Sequence, residues 1–202
     1  MGAGVASAEP VTVVAFGDSL TQGFGLPADQ GFVPQLEAWL QSNGADVSLI
    51  NAGVSGDTTA GGLSRINWTL TDEVDAVIVA LGGNDVLRGL PPEDSRANLD
   101  GILAAVSGRG LPALLVGLPA PSNFGDDYKA TFDSIFPDLA ESYDTLLYPN
   151  FLAALTQSTE RAEALRLYMQ ADAIHPNAAG VELMVEDIGP VVLQLIERAT
   201  AR

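Results

Sequence analysis

His175 is the only histidine in this 202-residue chain, and Asp172 stands three residues before it. That spacing lets a carboxylate reach the imidazole Nδ1–H on one turn of chain, which fixes the tautomer and leaves Nε2 free to take a proton. Pro176 and Asn177 pin the loop ahead of a helix. A base held in this way needs a hydroxyl to activate, and Ser19 is the candidate. It ends the stretch Val11-Thr12-Val13-Val14-Ala15-Phe16-Gly17-Asp18-Ser19, an apolar run cut short by glycine. A serine hydroxyl is a poor nucleophile until an adjacent base takes its proton, so the pair together would do nucleophilic chemistry at an electrophilic carbon. Taken singly, each residue has a plainer role. Asp18 or Ser19 serves a strand-to-helix turn as N-cap, a lone histidine can be a satisfied surface or core residue, and Asp172 can be a loop aspartate.

The elements that must position these residues alternate. Val11–Gly17 reads as a strand buried on both faces, with Ser19 just past its carboxyl end. Residues 20–31, broken by Gly23, Gly25 and Pro27, read as loop or short irregular helix, and Phe32–Asn43 as a helix stopped by Asn43-Gly44. A second strand covers Asp46–Ala52. Thr58–Leu70 is a helix with Asp57 as its cap, weakened by Gly61-Gly62. Asp75–Leu81 is the third strand, Pro92 to about Ser107 a helix, and Ala113–Leu118 the fourth strand. Residues 119–125 form a loop. Asp126–Tyr143 is helical with Pro137 kinking or dividing it, and Thr145–Tyr148 is a short fifth strand. Phe151–Met169 has helical tendency, and the last helix starts at Ala178 and is expected to break at Gly189-Pro190. Five strand–helix alternations with short connections imply a parallel sheet covered on both faces. The expected fold is α/β, a three-layer α/β/α sandwich of flavodoxin-like type with about five strands, spanning residues 11–202 as one domain.

In such a sheet the loops at the carboxyl ends of the strands meet along one edge. Three of them carry related punctuation: Gly17-Asp18-Ser19, Gly53-Val54-Ser55-Gly56 and Gly82-Gly83-Asn84-Asp85. Glycine after a strand is ordinary, so the convergence of the three is the informative part.

Composition narrows the function classes. The net charge of −17, with 9 basic against 26 acidic residues, repels phosphate backbones and anionic membrane surfaces, and argues against a nucleic-acid partner. No apolar run approaches the ~18 residues of a membrane span, so stable membrane insertion is not expected. Cysteine is absent, which removes disulfides, thiolate zinc sites and a cysteine nucleophile. Residues 1–10 match no element. Ala6-Ser7-Ala8 has the form of a signal-peptidase site without the basic and apolar regions that precede one, so they read as a leader or signal-peptide remnant. That reading places the mature protein in a periplasm or outside the cell, and otherwise in the cytoplasm.

Four blocks in order, Gly17-Asp18-Ser19-Leu20, Asn51-Ala52-Gly53-Val54-Ser55-Gly56-Asp57-Thr58-Thr59, Gly83-Asn84-Asp85 and Asp172-Ala173-Ile174-His175-Pro176, resemble the SGNH hydrolases of the GDSL type. The resemblance is nearest to the bacterial arylesterase, thioesterase I and lysophospholipase group and runs from about Val11 to the C-terminal helix. It implies that Ser19 is the nucleophile, His175 the base and then acid, and Asp172 the residue that orients the imidazole. It implies an oxyanion hole made by the backbone N–H groups of Ser19 and Gly53 and the side-chain amide of Asn84. The implied activity is hydrolysis of a small-molecule carboxylic ester, thioester or lysophospholipid through an acyl-enzyme, with no cofactor and no metal. Ala173 stands where relatives often carry glycine, and residues 151–169 run longer than the compact pattern. Residues 85–91 resemble the mobile loop that lines the acyl pocket in this group. The pocket candidates are Leu20, Leu87, Leu90, Phe124 and Ile174, apolar residues near the nucleophile.

Two other readings compete. A flavodoxin-like flavin-binding module would share the fold class, but it would set a phosphate beside Asp18 and leave His175 without purpose. A metal centre drawn from Asp18, Asp85, Asp172 and His175 lacks ordinary ligand spacing.

Overall fold

The side chains of the first strand point alternately to two different cores. Val13 and Ala15 pack with Leu36, Leu40, Ile188 and Leu195, whereas Val14 and Phe16 pack with Ile66, Leu99, Ile102 and Phe132. All four strand residues are fully buried, as the period of two requires in a sheet covered on both faces. The computed structural model describes residues 9–157 and 161–202. It contains five parallel strands, β1 (Val11–Gly17), β2 (Val47–Gly53), β3 (Ala76–Ala80), β4 (Ala113–Val116) and β5 (Leu146–Tyr148), in the order β2-β1-β3-β4-β5. This is the doubly wound order of the flavodoxin-like type. The strand order reverses between β1 and β3, and ligand crevices form at that switch point.

Of the helices, α2 (Phe32–Ser42) and α9 (Ala178–Thr200) cover one face, while α3 (Thr59–Thr69), α5 (Pro92–Gly108) and α6 (Asp126–Tyr143) cover the other. Short helices α1 (Ser19–Gln22) and α4 (Gly83–Leu87) follow β1 and β3 directly. The segment after β5 carries α7 (Ala153–Gln157) and α8 (Arg161–Tyr168).

Three expectations from the sequence need correction. Gly189-Pro190 does not break the last helix. Pro190 is exposed on a continuous α9, so the carbonyl it leaves unpaired faces water, and Gly189 lets Trp39 approach so closely that a Cβ there would lie 2.4 Å from its ring. Pro137 likewise does not divide α6, which runs unbroken with Pro137 on its outer side. The cap of α3 is Thr58, whose side chain accepts from the Gly61 N–H. Asp57 is engaged instead by Arg65 at 2.7 Å. The leader reading for residues 1–10 falls almost wholly outside the described residues. Among the described residues no helix is long and apolar enough to cross a membrane.

Candidate active site

Asp18 sets the geometry after β1. Its Oδ1 accepts the Leu20 N–H at 3.0 Å, capping α1 and presenting Ser19 in the first helical position. The other carboxylate oxygen lies 3.5 Å from the side-chain amide of Asn84. Burial pushes the Asp18 carboxyl up to about 6, against the opposing pull of the Leu20 hydrogen bond and the nearby His175. The sign follows from the raised value. The folded state holds the Asp18 proton more tightly than the unfolded chain, so this group's contribution to stability is present below the ordinary carboxylate value of 3.8 and is lost as pH rises through about 6. Asp18→Asn keeps a capping oxygen and has no charge to bury. Its Tm should therefore gain on the wild type steadily between pH 4 and pH 7, as measured by thermal melts across that range. A constant gap would show that Asp18 does not titrate there.

His175 joins two ends of the chain. Its Nε2 is 2.9 Å from Ser19 Oγ and its Nδ1 is 2.7 Å from Asp172 Oδ2. Asp172 also accepts the backbone N–H groups of Ile174 (2.9 Å) and His175 (3.0 Å) through Oδ1. The backbone bond from His175 and the imidazole contact, aided by the Ile174 N–H, hold the Asp172 carboxyl down at about 2. A carboxylate has no proton to donate, so Nδ1 must carry one and Nε2 faces Ser19 as the acceptor.

The loop that carries this pair is held by a residue with no motif to announce it. Gln170 donates its side-chain amide to the carbonyls of Phe24 (2.7 Å) and Pro176 (2.9 Å), its N–H to the His175 carbonyl (2.8 Å), and accepts from the Ala173 N–H (3.0 Å). The tight turn places Ala173 at φ 56°, in the left-handed region where a Cβ costs about 1 kcal/mol. That accounts for a preference for glycine at this point. Phe24 lays its ring against the imidazole, with centroids 4.6 Å apart.

On the opposite side of Ser19, Asn84 is the second residue of α4, reached through Gly82 at φ 119°. Its amide nitrogen donates to the Asp57 carbonyl at 2.9 Å. Asp85 next to it is buried and fully engaged by the Thr59 N–H (2.9 Å), the Thr59 hydroxyl (2.6 Å) and the Ser95 hydroxyl (3.2 Å), which staples α4 to α3 and α5. With its carboxylate so occupied, Asp85 is not available to a metal, and among the described residues no group of three or more His, Cys, Asp or Glu could hold one.

Gly53 does not occupy the position expected of it. Its N–H is taken by the Asn51 side chain at 3.0 Å, and a Cβ there would fall 2.3 Å from the Gln22 backbone nitrogen. The residue is glycine so that β2 can pass close beneath α1. Gly56, three residues on in the same block, is the glycine that reaches the cleft. Its N–H and that of Ser19 donate to no other group among the described residues. Arg65 locks the base of this corner. It bonds the Asp57 carboxylate (2.7 Å) and the carbonyls of Ala52 and Gly17 (both 2.9 Å), with its guanidinium 4.0 Å over the Phe16 ring.

Ser19, His175, Asn84 and Gly56 open into one cleft of about 580 Å³. Of the expected pocket residues, Leu20, Leu87 and Ile174 line it. Phe124 and Leu90 do not. Phe124 packs over Gly89 and against the Tyr128 ring, and the Leu90 carbonyl accepts the Tyr128 hydroxyl at 2.8 Å. The wall also includes Phe24, Leu118, Leu152 and Met169, which only the folded chain brings near the serine.

Residues 15–183 match the model of the GDSL-like lipase/acylhydrolase family. The chain belongs to that family. Among similar GDSL-like proteins, esterase TesA of Pseudomonas aeruginosa is 36% identical over 186 residues, 92% of this chain and 89% of the relative. The arylesterase of Vibrio mimicus is 33% identical over 165 residues, 81% of this chain and 79% of its own length. The crystal structure of AlinE4, described as an SGNH-hydrolase family esterase, superposes with a TM-score of 0.76 at 44% identity, covering 94% of this chain and 98% of the other. The AlinE4 structure matches the five-stranded α/β architecture described above.

Proposed function

We propose that this protein hydrolyses uncharged carboxylic esters through an acyl-enzyme on Ser19. The observation that carries the reading is the single imidazole bridging Ser19 Oγ at 2.9 Å and the Asp172 carboxylate at 2.7 Å. Ser19 Oγ attacks the ester carbonyl as His175 Nε2 takes its proton. The tetrahedral oxyanion is received by the N–H groups of Ser19 and Gly56 and by the Asn84 amide, donors already fixed before the charge develops. His175 then gives the proton to the departing alcohol oxygen. A water activated by the same nitrogen releases the acid and restores the serine.

Several facts support the ester bond as the target. Relatives of the same family are named esterase and arylesterase, and the cleft walls are mainly apolar, with no lysine or arginine among the described residues that line them. A surface of net charge −17 disfavours anionic acyl carriers and phospholipid headgroups, which puts thioesters of charged carriers and lysophospholipids second. A flavin-binding role has less support, because the buried Asp18 would face the flavin phosphate and the Ser19–His175–Asp172 arrangement would serve nothing. The periplasmic or secreted location belongs to the same proposal and is checked by cell fractionation.

A fluorophosphonate that mimics the tetrahedral intermediate tests the assignment. It is expected to add one phosphonyl group per chain, to place it on the peptide holding Ser19, and to stop ester turnover in proportion. Full turnover after complete labelling, or labelling at another serine, would overturn it.

A further inference from the structure

Beside the catalytic cleft lies a second hollow of about 430 Å³, formed where α7 and α8 pack against each other and against α9. Leu152, Met169 and Ala173 belong to both linings, so they form the wall between the two. The remainder of the second hollow is Leu155, Thr156, Ala164 and Leu165, with no charged side chain among the described residues. Met169 is half-buried and unbranched, a side chain that changes rotamer readily to let an apolar group pass.

Which end of an ester this annex receives follows from which face it occupies. Phe151 and Leu155 pack in the core beneath α2 and α9, the face that carries α9, whose first residue Ala178 follows His175 by three positions. Val86, next to the Asn84–Asp85 corner, packs in the core of the opposite face. The bond that breaks runs from the carbonyl carbon to the alcohol oxygen, and that oxygen must receive its proton from His175 Nε2. The alcohol therefore departs on the His175 side, towards Ala173 and Met169. The acyl chain is left the direction of Leu87, Leu118 and Pro119. We propose that the α7–α8 annex is a leaving-group subsite that takes the apolar alcohol of the substrate, an alkyl group of several carbons or an aryl ring. It sets selectivity for the alcohol separately from the acyl chain. This rests on the ester-hydrolase reading above.

The test is a pair of substrate series with the full chain. In the first, butyrate is esterified with ethanol, butanol, hexanol and 1-naphthol. In the second, ethanol is esterified with acids of two to ten carbons. All butyrate esters pass through one acyl-enzyme, so alcohol selectivity is read in kcat/KM, which reports acylation. For the wild type, kcat/KM should rise roughly threefold per methylene added to the alcohol until the annex is full. Ala164→Phe fills the annex from α8, and Thr156→Phe does so from an exposed position on α7 that any helix surface tolerates. In either variant the hexyl-to-ethyl ratio of kcat/KM should collapse at least tenfold while the acyl-length ratio keeps its wild-type value. A collapse of the acyl-length ratio instead would make the annex an acyl pocket, and no change in either ratio would show that substrate does not enter it. Both outcomes overturn the proposal while leaving the esterase reading intact. Wild-type enzyme inert towards every ester would instead overturn the esterase reading itself.

Discussion

Ser19→Ala should lower kcat for p-nitrophenyl acetate by on the order of 10⁴–10⁶-fold while the protein melts within a few degrees of the wild type. The large loss reflects the absence, among the described residues, of a second oxygen placed to replace Oγ. Of the other oxygens on the described cleft wall, the Asp18 carboxyl caps α1 and the Ser55 hydroxyl donates to the Gln22 side chain at 2.7 Å. The small structural cost follows from what the hydroxyl does in the fold. It makes one hydrogen bond, to His175 at 2.9 Å, on a half-buried side chain, and such a bond contributes about 1 kcal/mol. The cap on α1 comes from Asp18 and is untouched, and alanine is well suited to the first helical position. The proposed oxyanion donors and the apolar walls also survive, so some hydrolysis above the rate in water should persist. Steady-state turnover together with near-ultraviolet circular dichroism checks both halves. Wild-type turnover in this variant would remove Ser19 from the reaction.

The parts of this site that could be read from the chain were those where one residue type is chemically required at one point. A serine after a buried strand, a lone histidine and an aspartate three residues away are such points. The five-strand sheet was legible for a related reason, since continuous apolar runs bounded by glycine have few other uses. The helix-internal prolines misled, because proline reads as a breaker in one dimension. On the outer side of α6 or α9 the orphaned carbonyl meets water and the helix continues. Gly53 and Gly56 are hard to tell apart in one dimension for a similar reason. Both lie in one glycine-rich block, and only the folded backbone reveals that Gly53 spends its N–H on Asn51 while Gly56 faces the cleft. Arg65, Gln170 and Phe24 gave no signal, since their roles are contacts over long sequence separations. Gln170, for example, bonds the Phe24 carbonyl across 146 positions. Among the pocket residues, Leu87 and Phe124 are alike in sequence terms. The Gly89 turn, at φ 61°, leaves room for the Phe124 ring and so takes it out of the cleft.

Asp172→Asn tests how much of the rate depends on a tautomer alone, and the expected loss in kcat is about 10⁴-fold with KM little changed. Asparagine can keep its oxygen where Oδ1 now accepts the Ile174 and His175 N–H groups, so the turn that carries the base should survive. Its amide nitrogen then faces His175 Nδ1, where the carboxylate oxygen stood at 2.7 Å. An amide N–H can only donate, which obliges Nδ1 to accept and moves the imidazole proton to Nε2. The nitrogen facing Ser19 then has a proton already and cannot take the one it needs. Asp172→Ala removes the turn as well as the orienting group, so it should lose thermal stability in addition to rate, and the difference between the two variants isolates orientation from loop building. The pH dependence of stability gives an independent readout. With its carboxyl held down at about 2, Asp172 contributes stability that is present above the ordinary value of 3.8 and lost as pH falls through about 2. The Tm deficit of Asp172→Asn should therefore be full at neutral pH and close on acidification towards pH 2. The trend at Asp18 runs the other way, because burial rather than hydrogen bonding dominates there. A rate loss under tenfold in Asp172→Asn would mean that Phe24 and the Gln170-braced loop orient the imidazole without the carboxylate.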